Sequence, residues 1–144
     1  LCCDLVVASE NARFSEIFAK RGLSVDFGGS FLLPRIVGLQ KAKELVLLAE
    51  VLSAEEADRM GLINYVVPHD QLDDKALELA QKAASGPPRA LAMSKAMLNK
   101  SFANSLQDAL DQEGTSQTVN FTTKDVSEAM KAFQEKRPPR FSGW

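Results

Sequence analysis

Most of the side chains that could do chemistry in this chain are carboxylates, and imidazoles and thiols are few. His69 is the one histidine, and its polar turn between Pro68 and Asp70 favours a surface position over a catalytic one. Cys2 and Cys3 are adjacent, so they cannot easily satisfy disulfide geometry and are expected to stay reduced. With one histidine and no Cys/His cluster, a zinc site is not expected.

Two carboxylates stand in the most distinctive stretch of the chain. Asp26 precedes the pair Gly28 and Gly29. On local grounds alone it is expected to cap a helix or to form an Asx turn, with the glycines permitting a tight turn. Glu16 is followed four residues later by Lys20, which favours a solvent-facing carboxylate with a helical ion-pair partner. General acid–base chemistry uses carboxyl groups, but these local patterns do not assign it to either residue.

Composition limits the classes of function. The chain has 144 residues, 45% hydrophobic and 25% charged, which is typical of a globular protein. Its net charge of −2 gives no basic field for nucleic acid, and the mixed charges do not indicate an anionic membrane surface. The longest apolar run, Leu45–Ala49, is far shorter than the roughly 20 residues that span a bilayer. Walker, G-x-G-x-x-G, G-x-S-x-G and H-E-x-x-H motifs are not present in the sequence.

Residues 1–67 have a mixed α/β pattern. Short apolar or extended runs predict strands, and helical periodicity with capping signals predicts helices between them. The predicted strands are Leu5–Ala8, Arg13–Ser15 and Leu62–Val67, and the predicted helices are Ser30–Val37, Gln40–Glu50 and one opened by a capping box at Ser53–Glu56 and ended at Gly61.

Residues 68–144 are predicted to be all helical. The first predicted helix ends near Ala84, and the next two cover Ala90–Phe102 and Ser105–Val119. The last predicted helix is capped by Thr122. We do not expect this part to cover its apolar helix faces by itself, so we expect it to pack on a partner subunit. The chain starts at Leu1 inside Leu1–Ala8, a run that is typical of a buried strand, from which we expect it to be the C-terminal part of a longer protein.

The region Phe14–Gly38 carries the clearest family signal and reads FSEIFAKRGLSVDFGGSFLLPRIVG. Together with Cys3-Asp4, Ser53–Leu62 and the tail Phe133–Phe141, it resembles the enoyl-CoA hydratase/isomerase (crotonase) superfamily, and in motif it is closest to the isomerase-type members. The pieces occur in the family's order across essentially the whole chain, and their shared register makes the resemblance specific.

The resemblance implies an α/β fold. Residues 1–67 would be the C-terminal part of a spiral core of ββα turns, and residues 68–144 a helical region that builds trimers or hexamers. It also implies an acyl-CoA substrate whose thioester enolate is stabilised by two backbone N–H groups. In the family both donors lie upstream of the segment that matches Cys3-Asp4, so they are not in this chain.

The resemblance implies different roles for Phe18 and Asp26. Phe18 stands where the similar hydratases have a glutamate, and a phenyl ring can neither activate water nor deliver a proton. Asp26 stands where some enoyl-CoA isomerases have their single carboxylate, which removes the α proton and returns it to the γ carbon. We therefore expect Asp26 to be catalytic. Glu16 could line the same pocket or substitute for the missing glutamate.

Further residues are implied to bind the substrate. Phe18, Phe27, Gly28 and Gly29 are expected along the acyl group. Phe133 and Lys136 are expected at the coenzyme A moiety, with Lys136 as a phosphate contact. The structural alternatives are that Phe133 continues the apolar core of the last helix and that Lys136 is a solvated cation at a helix end.

The predicted function is isomerisation of an enoyl-CoA through Asp26. The alternatives are a 2-enoyl-CoA hydratase that uses a carboxylate upstream of Leu1, and a non-catalytic fragment that supplies a coenzyme A surface and oligomer contacts. No cofactor is expected, because coenzyme A is part of the substrate. No nucleic-acid or membrane partner is expected either, and the expected location is the cytoplasm.

Overall fold

A computed structural model of the protein describes residues 2–144, so Leu1, where the predicted buried run starts, lies outside the described residues. The chain divides between Glu78 and Leu79 into two compact units, and the division falls within one helix. The first unit alternates short strands with helices. Its elements are β1 (Val7–Ser9), β2 (Arg13–Phe14), α1 (Gly29–Ile36), α2 (Leu39–Leu48), β3 (Leu52–Ser53), α3 (Ala54–Arg59) and β4 (Tyr65–Val67), with a 3₁₀ helix at Ile17–Arg21.

The strands form two small pairs. β1 runs parallel to β4, with Ala8 opposite Val66, and β2 runs antiparallel to β3, with Phe14 opposite Leu52. A parallel pair needs a long crossover, which the helices between β1 and β4 supply. β1 starts later than predicted because the N–H of Val6 donates to the side-chain oxygen of Asn64 (2.8 Å), outside the ladder.

Small side chains form much of the core of the first unit. Ala54 and Ala57 of α3 are fully buried, and Leu33 of α1 is 2% exposed. The capping box is confirmed at the start of α3: the N–H of Glu56 donates to Ser53 Oγ (3.2 Å), and the N–H of Ser53 donates to Glu56 Oε2 (2.8 Å). These paired bonds satisfy N–H groups that the first helical turn leaves free.

The described residues beyond Val67 form helices and turns without strands, as predicted. After a 3₁₀ turn at His69–Gln71 the helices are α4 (Leu72–Ala84), α5 (Pro88–Lys100), α6 (Leu106–Asn120) and α7 (Lys124–Gln134). Ser105 caps α6 through a reciprocal pair with Asp108. The predicted cap of the last helix is wrong by one residue, because Thr123 is the N-cap and the Thr122 hydroxyl donates to the carbonyl of Val119 (2.7 Å). None of the helices in residues 2–144 is long and apolar enough to cross a membrane.

The C-terminal tail folds back on α7. Arg137 donates to both oxygens of Glu128 (2.6 and 3.0 Å), and the N–H groups of Ser142 and Gly143 donate to the carboxylate of the buried Asp125 (2.7 and 2.9 Å). Two carboxylates on one helix therefore hold the tail, which has no regular hydrogen bonding of its own.

Candidate functional site

Asp26 opens a tight turn directly before α1. The N–H of Gly29 donates to the carbonyl of Asp26 (2.8 Å), and the two residues between them have left-handed backbone, with φ of +52° at Phe27 and +79° at Gly28. Positive φ at both central positions defines a type I′ turn. The N-cap of α1 is Gly28, two residues after Asp26, so the interpretation of Asp26 as the helix cap is wrong.

Phe27 is the most unusual residue of this turn. Its side chain is 97% exposed while its backbone has the left-handed conformation that bulky residues disfavour. Within this chain, neither burial nor a preferred backbone conformation accounts for a phenyl ring here. Strain of this kind, at a residue next to an acid, is typical of functional sites.

Glu16 lies beside this turn. Local sequence patterns did not indicate this position for Glu16. A Cβ placed on Gly29 would lie 3.8 Å from Glu16 Oε2, so this carboxyl reaches the first turn of α1. Glu16 is half-buried, and its pKa is raised first by burial and then by the negative charge of Asp26. The expected partner Lys20 pairs instead with Glu50 (3.5 Å). The fold thus places Glu16 near enough to Asp26, ten positions along the chain, for the charge of Asp26 to act on it.

Gly29, at the start of α1, is one of the residues that line an apolar groove. The groove, about 400 Å³ in volume, lies between α1 and α2 and is lined by Gly29, Leu33 and Pro34 from α1 and by Leu39, Val46 and Leu47 from α2. Gly29 is close-packed where a side chain would start, since the added Cβ that would lie 3.8 Å from Glu16 Oε2 would also stand 2.7 Å from Val25 Cγ2. Phe18 is half-buried on the neighbouring 3₁₀ helix, and its carbonyl accepts the N–H of Leu23 (3.0 Å).

Phe133 and Lys136 lie in the second unit, near the end of α7. Phe133 is 84% exposed, so the alternative that it continues the helix core is wrong; Ala132 takes the buried position. Lys136 is exposed and has a left-handed φ of +53°, and its N–H donates to the carbonyl of Phe133 (3.3 Å). Both side chains are thus presented to the outside of their unit.

The structure gives His69 a contact with β1. His69 is exposed, as predicted, and its Nδ1 lies 3.1 Å from the hydroxyl of buried Ser9, which also accepts the N–H of Asn11. This contact ties β1 to the turn after β4. In residues 2–144, no three His, Cys, Asp or Glu side chains converge closely enough to hold a metal ion.

Comparison with known proteins gives one consistent family. The family model described as enoyl-CoA hydratase/isomerase matches residues 1–143. The 1,2-epoxyphenylacetyl-CoA isomerase of Escherichia coli is 39% identical over 97% of this chain and 53% of its own length. The short-chain-enoyl-CoA hydratase of Clostridium acetobutylicum is also 39% identical, over 95% of this chain and 52% of its own length. The chain therefore spans about half the length of the curated relatives that it matches.

Solved structures share the fold. An enoyl-CoA hydratase from Bacillus anthracis superposes with a TM-score of 0.94 at 34% identity, over 99% of this chain and 55% of that structure. An enoyl-CoA hydratase/isomerase from Cupriavidus metallidurans gives a TM-score of 0.90 at 42% identity, over 99% and 54%. The expected crotonase-like α/β fold is confirmed by these similarities.

Proposed function

Because the chain belongs to the enoyl-CoA hydratase/isomerase family, we propose that the protein shifts a double bond in an enoyl-CoA thioester. The observation that carries this proposal is Asp26. Asp26 is exposed on a strained turn in front of α1, where Gly28 rather than Asp26 is the helix N-cap. The position where the similar hydratases have a glutamate is Phe18, which removes one of the two carboxyls that water addition requires.

In this scheme the Asp26 carboxylate removes a proton from the α carbon of a 3-enoyl-CoA. The C–H electrons enter a dienolate, whose oxygen needs hydrogen-bond donors from the part of the protein upstream of this chain. Protonation of the γ carbon then gives the 2-enoyl-CoA, and in the simplest form Asp26 returns the proton that it took. One carboxyl suffices for both proton transfers, and no cofactor is proposed, because coenzyme A is part of the substrate.

Two sets of residues are proposed to contact the substrate. Phe18, Phe27, Gly28 and Gly29 are proposed along the acyl group, where the exposed Phe27 ring would be covered on binding. Phe133 and Lys136 are proposed at the coenzyme A moiety, because both are exposed and an ammonium group suits a phosphate. The family resemblance also supports a homotrimer or hexamer, in which the helical second unit provides the subunit contacts.

A hydratase is the second candidate. The clostridial relative is named a hydratase and is as similar to this chain as the isomerase from Escherichia coli. This alternative uses a carboxylate upstream of Leu1, and Glu16 could substitute for the glutamate that Phe18 replaces. The third alternative is a non-catalytic piece that contributes a coenzyme A surface and subunit contacts.

The test is an assay of the full-length protein with a 3-enoyl-CoA and a 2-enoyl-CoA, with and without Asp26→Asn. We expect isomerisation of the 3-enoyl substrate to fall by about 10²-fold or more in Asp26→Asn, since a positioned base contributes on the order of 10²–10⁴-fold. Asp58→Asn, at an exposed acid on α3, is the matched control and should retain activity. Isomerisation that survives Asp26→Asn would contradict the proposal. Rapid water addition to the 2-enoyl substrate would favour the hydratase, and no turnover of either substrate would favour the non-catalytic alternative.

A further inference from the structure

The last helix, α7, ends in a backbone pattern that usually contains glycine. The N–H of Lys136 donates to the carbonyl of Phe133 (3.3 Å), and the N–H of Arg137 donates to the carbonyl of Ala132 (3.1 Å). With the left-handed φ of +53° at Lys136, these two bonds form a Schellman motif, whose left-handed position is most often glycine. A lysine there bears a conformational cost that glycine would not.

The neighbouring cation, Arg137, is held by two carboxylates. Its Nη1 and Nη2 donate to the two oxygens of Glu128 (2.6 and 3.0 Å), and its Nε donates to Glu135 Oε2 (2.6 Å). All three guanidinium nitrogens thus have carboxylate acceptors, and the bidentate pair with Glu128 fixes the orientation of the guanidinium plane. Arg137 is therefore a poor partner for the phosphate of a ligand.

The ammonium group of Lys136 is in the opposite situation. Lys136 is exposed, and in the part of the chain that the structure describes no carboxylate pairs with it. The acid next to it in sequence, Glu135, is directed to Arg137 and to Lys131 (4.0 Å) instead. A strained backbone position therefore carries an exposed cation that makes no ion pair within this chain.

We propose that Glu128 and Arg137 are positioning residues for the coenzyme A contact at Lys136. The inference rests on the proposed function, in which Lys136 meets a phosphate of the coenzyme A moiety. Arg137 is bonded to Glu128 through its side chain and closes the Schellman motif through its own N–H, so the ion pair holds the backbone directly after Lys136. The ammonium group is thus offered from a backbone that is ordered before binding, which reduces the entropy lost on binding.

The proposal is tested by comparing the binding of two ligands to the full-length protein by isothermal titration calorimetry. Butanoyl-CoA carries phosphates, whereas S-butanoyl-pantetheine carries the same acyl group without them, and neither has a double bond to shift. The variants are Lys136→Gly, Glu128→Gln, Arg137→Lys and the double variant Lys136→Gly with Glu128→Gln. Glu113→Gln, at an exposed acid on α6, is the control for loss of one negative charge.

We expect Lys136→Gly to raise the Kd of butanoyl-CoA about tenfold, the effect of losing one charge-assisted contact, although glycine suits this backbone position better. Glu128→Gln and Arg137→Lys should each raise the same Kd about three- to tenfold, because each breaks the bidentate pair. Butanoyl-pantetheine should bind these variants as it binds wild type. Because Glu128 acts through Lys136, the double variant should bind butanoyl-CoA no more weakly than Lys136→Gly alone. Glu113→Gln should match wild type.

Three results would overturn the proposal. If Glu128→Gln weakens the binding of both ligands by the same factor, the role of Glu128 is structural. If its effect adds fully to that of Lys136→Gly, Glu128 does not act through the lysine. If Lys136→Gly leaves the Kd of butanoyl-CoA unchanged, there is no contact to position. The isomerase function is judged separately, by the turnover of Asp26→Asn, because these binding measurements do not depend on the double-bond shift.

Discussion

At the scale of single residues, the turn Asp26–Gly29 combines backbone strain with close packing. A left-handed non-glycine residue costs on the order of 1 kcal/mol, and Phe27 bears that cost while its ring is exposed in this chain. Gly29 has ordinary backbone angles but no space for a side chain on one face. The constraint on Gly29 is therefore steric, which makes it testable separately from its backbone conformation.

We predict that Gly29→Ala destabilises the full-length protein by about 1–3 kcal/mol, because the methyl group would stand 2.7 Å from Val25 Cγ2. Val25→Ala removes that methyl, so the double variant should lose less free energy of unfolding than the sum of the single variants, with a coupling of about 1 kcal/mol. Gly114→Ala in α6 is the control, since nothing lies within 4 Å of its added Cβ, and it should stabilise by about 0.5–1 kcal/mol. Chemical denaturation measures all four. If the effects of Gly29→Ala and Val25→Ala on the free energy of unfolding are strictly additive, the contact with Val25 is not the cause of the destabilisation.

At the scale of secondary-structure elements, contacts between residues close in sequence could be predicted, and contacts between residues far apart in sequence could not. The capping box at Ser53 and Glu56 depends on residues three apart, and the structure has it as the sequence indicates. Spacing favoured Lys20 as the partner of Glu16, but Lys20 pairs with Glu50, and the charge that acts on Glu16 is that of Asp26, ten positions along the chain. The exposed Phe133 was likewise ambiguous, since helical periodicity does not say which apolar side chain faces the core.

The clamp that holds the C-terminal tail on α7 should give a pH-dependent contribution to stability. Hydrogen bonds from Arg137 and from the backbone N–H of Arg140 lower the pKa of Glu128 from its ordinary 4.5 to about 2. Because the pKa is lower in the folded state, the stabilisation is complete above about pH 4.5 and is lost as the pH falls toward 2.

We therefore predict that Glu128→Gln lowers the free energy of unfolding at neutral pH and that its difference from wild type shrinks between pH 4.5 and 2. Denaturant unfolding at several pH values measures this difference. Glu113→Gln, at an exposed acid on α6, controls for removal of one negative charge. A difference that stays constant down to pH 2 would mean that the Glu128 carboxylate is not what holds the tail.

At the scale of the whole molecule, the order of motifs along the chain identified the family better than any single element did. The match extends over residues 1–143, and the solved relatives superpose over nearly all of the chain. The place where the chain divides was harder to see. The change from mixed to helical pattern comes at residue 68, whereas the two compact units separate between Glu78 and Leu79, inside the regular helix α4. Helical periodicity continues unchanged through α4, so the sequence does not indicate the residue at which the helix passes from one compact unit to the other.

The second unit leaves much apolar surface uncovered by its own residues, and this predicts self-association. Its exposed large apolar side chains include Leu98 (71% exposed), Leu106 (77%) and Phe121 (69%). Covering such a side chain contributes about 1.5–3 kcal/mol, and identical subunits that share a patch tend to form closed symmetric assemblies. We expect the full-length protein to sediment as a trimer or hexamer.

Combined Leu98→Ser and Phe121→Ser changes should shift this assembly to smaller, concentration-dependent species, because two apolar contacts are lost in every subunit. Sedimentation velocity measures the shift, and far-ultraviolet circular dichroism checks that the helices remain. Gln134→Ser, at an exposed polar position on α7, should leave the assembly intact. A wild-type protein that sediments as a monomer at all concentrations would contradict the proposed subunit contacts. It would leave Asp26 and Glu16 unaffected, since the turn and both acids lie within the first unit.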